Sequence, residues 1–358
     1  MDRLGRYGAV AAKVRSLWGA RLRGEDYRRM AAMRTLPELA GYLRAHPHWG
    51  RALEGVNVSG IHRFELEEHL RRYHLEEHLR LYPYLRREDQ EFLDFPVLEM
   101  ELSQIMRYLR LARVGRGSEY SFAPSPRLAR RSHIRYAALA SVTTYSGLID
   151  AVSRTGFADV LRRLKVHAPS QEGSGADTFP PFTLVEAALF SHYFRTLQAT
   201  IHARRDPALR ARLMDIVGVQ ADLVNIAVIL RVKRYYPGME GQFAGGLMPA
   251  RRYLSPETLK RLCYAESADA AVDILRATRY GRYFRDAGQA KIPRLEHLIA
   301  RARYEHSLRG IREPLPSVVT PLSFLYLTQV ELSNVIHLIE CVRYDVPPEE
   351  ALEYVVND

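Results

Sequence analysis

The 358-residue sequence has little cysteine, little lysine and no long charge-free apolar run. Its two cysteines, Cys263 and Cys341, lie far apart and lack a C-x-x-C spacing. This excludes a disulfide framework or zinc finger and fits a reducing cytoplasm. The longest stretch without a charged residue, 314–330, is 17 residues long and contains Pro314, Pro316 and Pro321. A bilayer span needs roughly 20 mostly apolar residues, so no direct membrane span is expected. The N-terminal MDRLGRYGAVAAKVRSLW has a basic residue every few positions and no apolar signal-peptide core.

Several chemistries are also absent. No glycine is followed by lysine, which excludes a GxxxxGK[ST] phosphate loop, and GxGxxG and GxSxG are missing. None of the 13 histidines has a glutamate three positions before it, which removes the E-x-x-H pattern of di-iron helices. The expectation is a protein with no catalytic residues, no bound cofactor or nucleotide and no metal.

What remains is an ordinary globular composition, 47 % apolar and 26 % charged, with a net charge of +11. Apolar residues recur at three and four positions, Ala, Leu, Arg and Glu abound, and strand-type alternation is scarce. The reading is all-α. Gly, Pro and Ser cluster at 115–126, 169–181, 237–256 and 310–321, where helices are expected to break.

An internal repeat underlies the pattern. ELSQIMRYLRLARVG from Glu101, DLVNIAVILRVKRYY from Asp222 and ELSNVIHLIECVRYDV from Glu331 share an acid, a following Leu, an Asn or Gln two positions on, then Ile or Val. A second set precedes them: LAGYLRAHPHWGRAL from Leu39, LIDAVSRTGFADVL from Leu148 and AVDILRATRYGRYF from Ala271. Each of these is a helical pattern running into a Gly- or Pro-containing corner, with Leu43, Val152 and Leu275 in equivalent places. Two segments repeating in the same order imply three related helical modules, near 1–125, 126–245 and 246–358. On a helix the acid and the amide at i and i+3 share one face. Glu101 with Gln104, Asp222 with Asn225 and Glu331 with Asn334 are therefore expected to be structural pairs that fix module packing.

The acid-x-x-Asn-Ile helices DLVNIAVILRVKRYY and ELSNVIHLIECVRYDVPPEEALEYV, with the PPEE ending, resemble the C subunit family (d in eukaryotes) of V/A-type rotary ATPases and ATP synthases. Gln104 departs from the Asn of that pattern. The resemblance implies a non-catalytic central-stalk rotor subunit, a pseudo-three-fold funnel or socket. It would link the central-shaft subunits to the membrane proteolipid ring, transmit torque for proton or sodium transport, and lie on the cytoplasmic face of the membrane.

Charge is uneven. Between Leu102 and Ile149 stand Arg107, Arg110, Arg113, Arg116, Arg127, Arg130, Arg131 and Arg135 against Glu119 alone, whereas 340–358 holds six acids and one Arg. The arginines are candidate partner-binding residues. They also admit an alternative, a basic helical-repeat module for nucleic acid or another acidic partner, although no helix-turn-helix, RRM or KH signature accompanies them. In EEHLRRYHLEEHLRLY, His74, Glu77 and His78 fit the H-x-x-E-H metalloprotease pattern. The duplicated EEHLR favours instead a charged helix with internal ion pairs.

Overall fold

The computed structural model describes residues 3–167, 179–180, 182–235, 238, 247–248, 250–287 and 290–357. Every regular element among them is helical. The chain divides into two compact units, one formed by 1–93 with 265–358 and the other by 94–264.

The first unit contains α1 (Arg3–Gly19), α2 (Gly24–Ala31), α3 (Leu36–Ala45) and α4 (Arg63–Leu79) from the N-terminal part. The second is built from α5 (Phe95–Arg113), α6 (Tyr136–Ala140), α7 (Tyr145–Ala151), α8 (Phe157–His167), α9 (Phe182–His202), α10 (Pro207–Tyr235) and α11 (Pro256–Cys263). The chain then returns to the first unit with α12 (Ala268–Arg276), α13 (Ile292–Arg312), α14 (Val319–Arg343) and α15 (Pro348–Leu352).

The first unit is organised around α14, which is apolar on nearly every face and packs against α13, α4, α1, α2 and α3. A helix apolar all round has to be enclosed. Leu332, Val335, Leu338 and Ile339 of α14 share one core with Leu39, Leu43, Trp49, Leu66 and Leu70. The 310–321 segment is not the long break its composition suggests: α13 continues to Arg312 and α14 begins at Val319. Gly310 lies inside α13 at a close helix crossing, where a Cβ would overlap Ser323 Oγ of α14. Pro321 falls in the first turn of α14, where a missing N–H costs nothing.

Two helices, Pro207–Tyr235 and Val319–Arg343, are long and apolar enough by length and composition to cross a membrane. A reading based on charge-free runs misses them because Asp222 and Glu331 interrupt the apolar stretch. Of their most apolar windows, 72 % and 78 % are buried within the protein.

The corner-forming segments end α3, α7 and α12. These helices start on equivalent caps: Thr35 Oγ1 accepts the Glu38 N–H, Thr144 Oγ1 that of Gly147, and Ser267 Oγ that of Ala270. Such caps satisfy backbone donors that the first turn leaves unpaired. Leu43, Val152 and Leu275 are fully buried at the far ends of these elements. In the corners that follow, Gly50 and Gly281 bring their α-carbons so close to the Arg44 and Arg276 carbonyls that a Cβ would clash with either.

Candidate functional site

Glu101, Asp222 and Glu331 all lie within long helices, α5, α10 and α14, and all are buried, as are Gln104, Asn225 and Asn334. A buried carboxylate is costly unless it accepts hydrogen bonds. Each accepts them from a segment distant in sequence. Glu101 Oε1 takes the Ser132 hydroxyl at 2.9 Å and the His133 N–H at 2.5 Å. Asp222 Oδ2 gathers three successive backbone N–H groups, from Arg252 (3.2 Å), Tyr253 (2.7 Å) and Leu254 (3.3 Å). Glu331 takes the backbone N–H of Leu22 and the Trp49 indole N–H, the latter at 2.7 Å.

The amides add a second grip. Asn225 donates to the Met248 carbonyl at 3.2 Å and accepts the Met248 N–H at 2.7 Å. Asn334 holds Val356 in the same two-point fashion, at 2.7 and 3.0 Å. Gln104 does not, and its Oε1 accepts the Tyr120 hydroxyl at 3.0 Å. The longer side chain that breaks the sequence pattern thus also breaks the geometry. In each copy the backbone held by the acid directly precedes a helix, α6, α11 or α2, which leads on to one of the three capped helices.

The clasps of Glu101 and Asp222 lie within the 94–264 unit, and that of Glu331 joins the two chain segments of the other unit by holding Leu22. In the second copy one continuous strap supplies both Met248 and Arg252 to Leu254. In the third the strap is divided between Val356 and Leu22. The sequence could not reveal these partners, because the donors are mostly backbone N–H groups, which any residue type carries. Trp49 alone left a trace, in the corner motif HPHWG.

Beside this third clasp a cavity of ≈ 220 Å³ is lined by Trp18, Arg21, Leu22, Tyr27, Tyr304 and Glu331. Burial raises the Glu331 carboxyl to about 7, opposed by the Trp49 and Leu22 hydrogen bonds and by Arg21. Burial likewise raises Glu101, against the N–H and hydroxyl donors at His133 and Ser132. A raised carboxyl in a cavity is a common sign of acid–base chemistry. At Glu331 the donors are a backbone amide and an indole, so the group is occupied in holding the fold together.

The arginine series is dispersed. Arg116 pairs with Glu119 at 2.5 Å, Arg131 reaches Asp94 at 3.1 Å, and Arg135 donates to the Asp150 carbonyl. Arg107 lies 5.7 Å from the Tyr120 ring centroid and Arg113 5.9 Å from that of Phe182. Arg110 acts electrostatically on Glu186. Arg127 and Arg130 are exposed around the single turn Pro126–Ala129, without an ion pair among the described residues. The basic excess is nevertheless concentrated in one body: residues 94–264 hold 24 Lys and Arg against 14 Asp and Glu, a net +10 of the chain's +11.

The HLEEH segment lies in α4. The first half of α4 matches the expected charged helix, with Glu67 bridging Arg63 at 2.8 Å and Arg71 at 3.2 Å. Its second half corrects that expectation: Glu77 and His78 are buried, because the helix turns this face into the core. Glu77 accepts the Tyr73 hydroxyl at 2.8 Å and lies 3.3 Å from His48 Nε2. Neither ring nitrogen of His78 has a hydrogen-bond partner among the described residues. Burial pushes His48 and His74 down to about 4 and His78 to about 3. Among the described residues no group of three His, Cys, Asp or Glu is arranged to hold a metal ion.

Residues 10–354 match the ATP synthase (C/AC39) subunit family. The chain belongs to that family. No curated protein matches it in sequence. The C/AC39 proteins are the C (or d) stalk subunits of V/A-type rotary ATPases, so this chain is a stalk component of a membrane-associated rotary complex. In this C/AC39 chain the acid of each repeated acid–amide pair accepts a backbone N–H, and the amides Asn225 and Asn334 hold backbone as well.

Proposed function

We propose that the protein is the non-catalytic central-stalk rotor subunit of a V/A-type ATPase or ATP synthase. In this reading it is a socket of three helical modules, near 1–125, 126–245 and 246–358, arranged as a pseudo-three-fold funnel. It receives the central shaft, rests on the proteolipid ring at the cytoplasmic face without spanning the membrane, and passes torque between them.

The observation that supports the reading is the set of three acid clasps. Each long helix holds the segment that opens the next module, and the last acid holds the first module. A torque-bearing part needs stiffness, and buried carboxylates that each collect hydrogen bonds from a distant segment resist shear. Nothing in these sites calls for nucleotide or metal. The roles of Glu101, Gln104, Asp222, Asn225, Glu331 and Asn334 are then architectural.

The test is affinity purification of the tagged protein from gently solubilised membranes of its native host. Co-elution of a small apolar proteolipid with shaft and catalytic ATPase subunits at constant ratios is expected. Recovery of the protein without these subunits sinks the rotor assignment.

A further inference from the structure

In the 94–264 unit, α5, α9 and α10 pack together, and one end of this packet has an unusual surface. Arg113, at the C-terminus of α5, lies 5.9 Å from the ring centroid of Phe182, the first residue of α9. One turn into α9, Glu186 is held electrostatically by Arg110 of α5 and Arg231 of α10. The C-terminal ends of α5 and α10 and the N-terminal end of α9 therefore converge. Three large apolar side chains are exposed there, one from each helix end: Val114 (64 %), Leu184 (45 %) and Tyr235 (60 %). Arg110, Arg113, Arg231 and Arg234 are exposed among them, and Glu186 is the one acid in the last two turns of α5 and α10 and the first two of α9.

Basic residues at helix C-termini complement the backbone dipole, which accounts for arginines at α5 and α10. It does not account for Val114, Leu184 and Tyr235 standing in solvent beside them. Exposed apolar side chains rimmed by cations mark a surface that meets something anionic outside and apolar within.

We propose that this end of the 94–264 unit docks on an anionic lipid surface, its arginines meeting headgroup phosphates while Val114, Leu184 and Tyr235 enter the headgroup–acyl boundary. A bilayer interface favours aromatic and aliphatic side chains at that depth and draws arginine from the water side. The net +10 of the unit supplies the long-range attraction. A lipid surface suits three side chains carried on separate helix ends, because it accepts them individually, whereas an acidic peptide needs a continuous groove. The proposal stands apart from the rotary assignment, since it concerns this chain and lipid alone.

The test is sedimentation of the purified full chain with vesicles of phosphatidylcholine, with and without about one-third phosphatidylserine. Binding is expected only with phosphatidylserine, and 0.5 M salt should release the protein. The variant Arg113→Glu/Arg234→Glu should bind at least about tenfold more weakly. A control with the same charge change elsewhere on the unit, Arg154→Glu/Arg205→Glu, should bind within about threefold of wild type. Leu184→Ser/Tyr235→Ser, which leaves charge unchanged, should weaken binding several-fold. Unchanged helix content and melting temperature verify folding of each variant. Equal loss in the control, binding to neutral vesicles, or no binding at all overturns the proposal. So does wild-type affinity in Leu184→Ser/Tyr235→Ser, which would leave a generic acidic-partner or nucleic-acid surface.

Discussion

Asn334 and Val356 form a closed pair: the side-chain amide donates to the Val356 carbonyl at 2.7 Å and accepts the Val356 N–H at 3.0 Å, 22 residues away in sequence. Removing that amide leaves two buried backbone groups unpaired, each worth about 1–3 kcal/mol. Asn334→Ala should therefore free the segment around Val356. Hydrogen exchange at the Val356 amide is expected to quicken about a hundredfold or more, and wild-type protection there would contradict the clasp.

The copies differ in how many backbone groups their amides hold. Asn225→Ala breaks two bonds to Met248 backbone, whereas Gln104→Ala breaks one to a tyrosine hydroxyl. Asn225→Ala should destabilise the fold more, by about 2–4 kcal/mol against about 1 kcal/mol. Thermal unfolding of both variants gives the comparison, and equal losses would mean that the two-point grip adds nothing.

The α13–α14 crossing predicts a clash and its relief. Gly310→Ala drives a methyl into Ser323 Oγ and Cβ, a small-to-large error costing about 1–3 kcal/mol. Adding Ser323→Gly should recover part of the loss, since the space comes from the opposing side chain. Additive destabilisation in the double variant, measured by denaturant or heat, would refute direct contact.

His78 supplies a pH test. Its proton affinity falls from the ordinary 6.5 to about 3 because burial disfavours the imidazolium. Between these values the unfolded chain binds a proton that the folded one refuses. The contribution is absent above about pH 6.5, and stability falls by up to ~1.4 kcal/mol per pH unit as acid is added, until the folded value is reached. Glu331 works in the opposite sense: raised to about 7, it is unburdened in acid, and its cost grows as pH rises from the ordinary 4.5 through 7. His78→Leu removes only the first effect. Its melting temperature should therefore drop less than that of wild type between pH 7 and pH 5, and an identical drop would show that His78 does not titrate on unfolding.

Arg130 and Arg131 separate stability from assembly. Arg130 is exposed and Arg131 pairs with Asp94 at a partly exposed position, the kind of contact worth about 0–1 kcal/mol. Arg130→Glu/Arg131→Glu should leave melting nearly unchanged while weakening capture of partner subunits in a salt-dependent way. Undiminished assembly at low and moderate salt removes this pair from any interface.

Much of the fold was legible in the sequence because helices announce themselves by period and caps. Leu43, Val152 and Leu275 mark equivalent buried ends, and Thr35, Thr144 and Ser267 start equivalent helices. The acid–amide faces were legible for the same reason, down to the departure at Gln104. Their partners were not, since a carboxylate that collects backbone N–H groups constrains no residue type at 252–254. Gly310 and Pro321 misled by composition: a glycine at a helix crossing and a proline in a first turn look like breaks but interrupt nothing. Burial of Glu77 and His78 escaped notice because charged residue types on a helix suggest solvent, and only the tertiary packing of α4 shows otherwise.

The first unit is assembled from 1–93 and 265–358, with Leu22 held by Glu331 and Val356 by Asn334 of α14. A ribosome delivers these pieces with the whole of 94–264 between them. The second unit can close while the chain is still growing, whereas α2, α3 and α4 have no central helix to pack against until α14 emerges. The earliest-made helices are thus among the last to be buried, and over that interval the apolar faces of Leu39, Leu43 and Leu66 depend on chaperones or on speed of synthesis to avoid aggregation.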